Sequence, residues 1–78
     1  MGVRRFIKVN RERDHHRWYV ISWGPTLFGN YAVVRSWGRV GTDWAQCKSE
    51  AFEESETARA EADAQARRRL RRGYTETN

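Results

Sequence analysis

Seventy-eight residues carrying a formal charge of +5, with 38% apolar and 13% aromatic side chains, describe one small basic domain; a chain of this size buries only about 60% of its unfolded surface and cannot close two cores. Cys47 is the single cysteine, which excludes an intramolecular disulfide framework and a four-thiolate zinc site and fits a reducing, cytoplasmic location. The start of the chain lacks the apolar run of a secretory signal, and no stretch reaches the roughly 20 apolar residues of a membrane span, so a soluble protein is expected.

The chain divides into a strand-rich first two thirds and a helical last third. Phe6, Ile7 and Val9 lie among charges between Arg4 and Val9 and predict a first strand. A polar run through Asp14, His15 and His16 predicts a solvated loop. From Arg17 to Trp23 the β-branched and aromatic residues Trp18, Tyr19, Val20 and Ile21 predict a second strand, broken by Gly24-Pro25. Residues Asn30 to Val40 alternate. Tyr31, Val33, Arg35, Trp37 and Arg39 share one face, and Ala32, Val34, Ser36, Gly38 and Val40 the other. The second face is small and mostly apolar and is the expected seat of a helix; the first carries the aromatics and cations. After a turn at Gly41-Thr42-Asp43, Trp44 to Phe52 form a weaker strand with Ala45, Cys47 and Ala51 on one face. The short connections make the sheet an antiparallel meander of about four strands.

From Ser55, the expected N-cap, the period changes. Ala58, Ala62, Ala66 and Leu70 recur every four residues until Gly73 ends the helix. Acids come early in this helix and Arg67, Arg68, Arg69, Arg71 and Arg72 crowd its end, which suits the helix dipole. On a helical wheel Arg69 falls near the edge of the alanine stripe and the other four arginines face away from it. Tyr74 follows the stop, and 75–78 read as a frayed tail. The fold class is therefore α+β, with one C-terminal helix packed across a face of a small antiparallel sheet, and the whole of 1–78 forms a single domain with its core within about 6–74.

Trp37-Gly38-Arg39-Val40-Gly41 at the end of an alternating strand, Arg17-Trp18-Tyr19 upstream and Arg71-Arg72-Gly73-Tyr74 closing a basic helix together resemble the WGR domain family. Leu27-Phe28-Gly29-Asn30-Tyr31 is similar to the spacer of bacterial single-domain members. The resemblance implies an antiparallel sheet with one helix, and DNA binding. In the WGR domains of DNA-damage-dependent poly(ADP-ribose) polymerases the motif Trp and Arg contact DNA near a strand break and relay the signal to a catalytic domain. The matching residues here are Trp37 and Arg39.

The residues themselves leave two readings of each candidate. Trp37 can stack on a base or sugar while Arg39 holds the adjoining phosphate, or Trp37 can cover the sheet with Arg39 packed over its ring. Gly38 serves close backbone approach. Arg35 and Tyr31 extend the same face, as phosphate and stacking contacts or as a solvated strand surface. Arg68 and Arg72 touch phosphate, or they only complement the helix dipole. Arginine dominates the cations, Lys8 and Lys48 being the two lysines, and its planar fork suits phosphate. No recognition helix offers polar side chains to base edges, so sequence reading is not expected.

Adjacent His15 and His16 point apart on an extended chain and form no metal site. Cys47 reads as a small buried residue. Asp14, Asp43 and Glu50 have no paired spacing for acid–base work, and no glycine-rich phosphate loop occurs. The expectation is a monomeric, non-enzymatic module without cofactor, metal, membrane or small-molecule substrate. Its partner is DNA, with RNA as the variant of that reading. The alternative function is a protein-interaction module using an aromatic face around Trp18, Phe28 and Trp37.

Overall fold

A computed structural model describes residues 1–12 and 15–77, with the backbone alone for His15. Its elements are β1 (Gly2–Asn10), β2 (His15–Pro25), β3 (Tyr31–Arg39), β4 (Ala45–Phe52), α1 (Ser55–Arg71) and β5 (Thr75–Thr77). The strands form one sheet in the order β4-β3-β2-β1-β5, and every neighbouring pair is antiparallel. Four of the five strands are the expected meander. The fifth comes from the segment expected to fray: Thr75–Thr77 returns beside β1, pairing Glu76 with Phe6. Arg4 fastens it, donating from Nε and Nη2 to the two carboxylate oxygens of Glu76, each at 2.7 Å. The same guanidinium approaches Asp63 of α1 at 3.6 Å.

Register places Phe6, Tyr19 and Trp37 in one row across β1, β2 and β3, with Arg4, Ile21 and Arg35 two residues along on the same face. The core lies between this face and α1, where Phe6, Tyr19, Ile21 and Val33 pack with Ala58, Ala62 and Ala66. Burying side chains such as Phe6, Ile21 and Val33 is worth about 1.5–3 kcal/mol each. The helix thus covers the face of Val33, Arg35 and Trp37, opposite to the small-residue face of β3 expected to receive it. The reason lies outside β3. The large apolar residues of β1 and β2 face the same way as Val33, and alanines on the helix leave depth for them, whereas small against small would bury little.

Four further expectations are corrected, three of them at the ends of elements. His16 is an exposed β2 residue rather than part of a loop; Asp14 lies outside the described residues. The N-cap is Glu54, without a side-chain hydrogen bond, and Ser55 is the first helical residue. Cys47 is exposed, because the face of β4 it shares with Ala45 and Ala51 has no helix over it. The break expected at Gly24-Pro25 falls at the very end of β2, which runs through both residues.

The alanine stripe holds as far as Ala66, and then Leu70 is 46% exposed while Arg69 is 9% exposed. A spacing of four advances about 40° beyond a full turn at each step. Over three steps the repeat rotates off the sheet, and Arg69 takes the centre of the buried stripe. The helix then closes in a Schellman motif: Gly73 N–H donates to Leu70 O at 3.2 Å and Tyr74 N–H to Arg69 O at 3.0 Å. Gly73 at φ +90° supplies the left-handed residue that this motif requires.

Candidate nucleic-acid interface

Closing the helix in this way brings the Tyr74 ring back over the last helical turn. The Arg69 guanidinium lies 4.4 Å from the centre of the Tyr19 ring and 5.7 Å from that of Tyr74. Tyr19 stacks on Trp37, with ring centres 5.6 Å apart and planes 11° from parallel, and meets Tyr74 edge-on at 6.1 Å. Lys8 adds an ammonium 5.7 Å from the centre of the Tyr74 ring. Arg35 donates from Nη1 to Gln65 Oε1 at 3.2 Å and to the Tyr19 hydroxyl at 3.4 Å. Buried Gln65 is itself held by its Nε2 donating to Glu61 Oε1 at 2.8 Å.

These groups wall a cleft of about 440 Å3 formed by Lys8, Arg17, Tyr19, Arg35, Trp37, Arg69, Arg72 and Tyr74. A second lobe of about 480 Å3 shares Arg17, Trp37 and Tyr74 and adds Arg39, Trp18, Gly38, Thr42 and Trp44. No carboxylate lines either lobe among the described residues. Lys8, Arg17 and Arg39 stand in one cross-strand row of β1, β2 and β3. Like charges directly opposite destabilise a sheet, so this row costs stability. Arg69 repeats the pattern in burial: its Nε finds no hydrogen-bond partner among the described residues. An unsatisfied buried donor costs about 1–3 kcal/mol.

Gly38 explains the middle of the Trp-Gly-Arg run. A side chain there would begin 2.8 Å from Trp44 O and 3.1 Å from the Trp18 indole. The glycine lets Trp18 and the start of β4 close on β3, which fixes the strand end from which Arg39 projects. The following turn is closed by Thr42, whose hydroxyl donates to Arg39 O at 2.9 Å.

The structure therefore brings Arg35, Trp37, Gly38, Arg39 and Arg72 of the sequence-derived set to one two-lobed cleft. It does not bring Tyr31 or Arg68 there. Tyr31 lines a separate hollow beside the helix start with Trp23, Ser55 and Ala58, and Arg68 is exposed outside the lining of both lobes. Sequence reasoning missed Lys8, Arg17, Tyr19, Arg69 and Tyr74 as site residues. For Arg69 a signal existed: counting 100° per residue puts it within the alanine stripe, and positions three and four residues away hold Gln65, Ala66, Arg72 and Gly73, none of them acidic. Of the aromatics in the alternative reading, Trp18 and Trp37 line one lobe and Phe28 stands apart. Trp18 leaves the sheet on the side opposite Trp37 and reaches the outer lobe across Gly38, while Phe28 stands 91% exposed in the β2–β3 turn. The guanidinium packed on the aromatic stack belongs to Arg69, where the sequence reading offered Arg39.

A five-stranded antiparallel sheet with a single helix across it and a cationic, aromatic cleft at the helix end defines an α+β binding module. The WGR domain family model matches residues 3–78, and the chain belongs to that family, whose domains are nucleic-acid-binding modules. Among curated proteins, the uncharacterised protein y4dW of Sinorhizobium fredii is 31% identical over 67 residues, covering 86% of this chain and 32% of that protein. The chain thus spans about a third of the length of that relative.

Proposed function

We propose that this WGR domain binds DNA without reading its sequence, holding backbone phosphate and a terminal nucleotide in the cleft between Trp37 and the end of α1. The observation that carries the reading is the carboxylate-free lining, in which cations from β1, β2, β3 and α1 converge around Trp37, Tyr19 and Tyr74. Phosphate neutralises the row of Lys8, Arg17 and Arg39 and offers acceptor oxygens to the Arg69 guanidinium where it lines the cleft. Trp37 offers its indole to a base or sugar at a strand end, where stacking is worth roughly 1–3 kcal/mol. The helix contributes its negative end here, so Arg69 and Arg72 must offset the dipole before they attract an anion. The domain acts by binding alone, without a cofactor and without chemistry on its ligand.

The test is a titration of labelled blunt, nicked and continuous circular duplexes against the parent and Trp37→Ala. The substitution leaves the charge unaltered. Trp37→Ala is expected to weaken binding at ends and nicks by about 5- to 150-fold with the salt slope unchanged, and to weaken continuous duplex less. Near-ultraviolet circular dichroism establishes that the variant is folded. A folded variant that binds every duplex as the parent does would remove the motif from the interface.

A further inference from the structure

The sheet has a second face, and among the described residues no element covers it. Register places Val3, Ile7, Val9, Val20 and Val34 on this side, together with the alanines and serines of β3 and β4. Arg5 is the one acidic or basic residue among D, E, K and R that register places there on the described strands, in a chain with 32% charged residues. An antiparallel sheet open to water ordinarily alternates apolar-in with polar-out. Here the outer side of β1 is apolar as well as the core beside it: Val3, Ile7 and Val9 are 48%, 39% and 50% exposed while Phe6 on the inner side is 1% exposed. An outer face of this composition is a face that is covered in the working state.

We infer that a second copy of this chain covers it, in a two-fold dimer that packs sheet against sheet. Three properties of the face favour a copy of itself. Its relief is complementary end to end. Ile7, Val9 and Trp18 crowd the end near the cleft, whereas Val3, Ser22, Gly24, Ala32 and Val34 leave a hollow of about 290 Å3 at the other. A two-fold axis across the strands sets the crowded end of each copy on the hollow end of its partner, and Val20, near the middle, meets Val20. The area suffices. Four strands of 9, 11, 9 and 8 residues span about 19 Å by about 30 Å, roughly 1,100 Å2 over both copies, against the ~1,000 Å2 of a specific interface. The charge of the face is low: Arg5, level with Val20 in register, is the one residue among D, E, K and R that it carries, and it faces its own copy across the two-fold axis, a like-charge contact that salt screens. The Arg69 lobe lies on the opposite face, so a dimer carries two outward clefts and can hold two DNA segments or two ends. This replaces the monomer expected from the sequence.

Sedimentation equilibrium across the micromolar range, without nucleic acid, tests the dimer independently of the cleft. The parent is expected to reach twice 9.2 kDa, with association tightening as salt screens the repulsion between the copies. Val20→Lys, at the centre of the face, is expected to sediment as a 9.2 kDa monomer with an unchanged far-ultraviolet spectrum. Cys47, exposed on the same face, gives a readout that needs no variant: its alkylation rate should fall as protein concentration rises. A parent that stays at 9.2 kDa with a concentration-independent thiol rate would overturn the inference. A dimer that Val20→Lys leaves intact, or that weakens as salt rises, would do the same by placing the contact elsewhere.

Discussion

Replacing Arg69 by methionine separates the two reasons for burying a guanidinium. Methionine retains a long unbranched apolar stem in the pocket between Tyr19 and Tyr74 and removes the charge. Stability should change little, because two terms oppose each other. The stacked guanidinium, 4.4 Å from the Tyr19 ring centre, contributes about 0.5–2 kcal/mol, while the unpartnered Nε costs about 1–3 kcal/mol. A net shift of about 1 kcal/mol or less in either direction follows for Arg69→Met, read by urea denaturation. Binding has no such compensation. A hydrogen bond from a charged donor to phosphate is worth about 1.5–3 kcal/mol, so affinity for short duplex DNA should fall by about 10- to 150-fold. The slope of log affinity against log salt should become shallower by about 0.9 for the lost contact. Fluorescence anisotropy over a salt series measures both, with Arg68→Met as the control that removes the same charge outside the cleft. Equal losses for the two variants would mean that binding follows overall charge, and a folded Arg69→Met that kept the parent's affinity and slope would refute the assignment of this arginine to a ligand.

Arg17 lies between Lys8 and Arg39 in the cross-strand row, so Arg17→Gln should stabilise the free domain by about 0.2–1 kcal/mol in thermal melts while weakening DNA binding, opposite signs that a purely structural arginine would not give. Gly38→Ala places a Cβ 2.8 Å from Trp44 O and should destabilise by about 1–3 kcal/mol in denaturant titration; an unchanged midpoint would show that the strand end closes differently. The Arg4 hydrogen bonds hold the Glu76 carboxyl below its usual range. Its contribution of about 0.2–1 kcal/mol is therefore present above the unfolded pKa of about 4.3 and lost as pH falls through the lower folded value. Glu76→Gln should remove that acid-side dependence and speed amide exchange in β5, and identical exchange in parent and variant would deny the clasp.

Much of the fold follows from local sequence. The dense aromatic and β-branched run at β2, the alternation of β3 and the change of period at Ser55 set strands and helix within a residue or two, because each signal is carried by neighbours that interact locally. Alternation put Arg35, Trp37 and Arg39 on one face, and the resemblance of the Trp-Gly-Arg run to the WGR family singled out Trp37 and Arg39. What needed the tertiary structure was every question of which face meets which. Either face of β3 can seat a helix; the choice fell to Phe6, Tyr19 and Ile21, whose side became known only through strand register. Register also turned Lys8, Arg17 and Arg39, distant in the chain, into one cationic row. Thr75–Thr77 carries too few residues to signal a strand, and it becomes one because Gly73 turns the chain back and Arg4 meets Glu76. Arg69 belongs to both levels: its angle on the helix was countable from the sequence, but its burial without a carboxylate depended on Tyr19 and Tyr74 closing over it, a contact between residues fifty apart that no local pattern encodes.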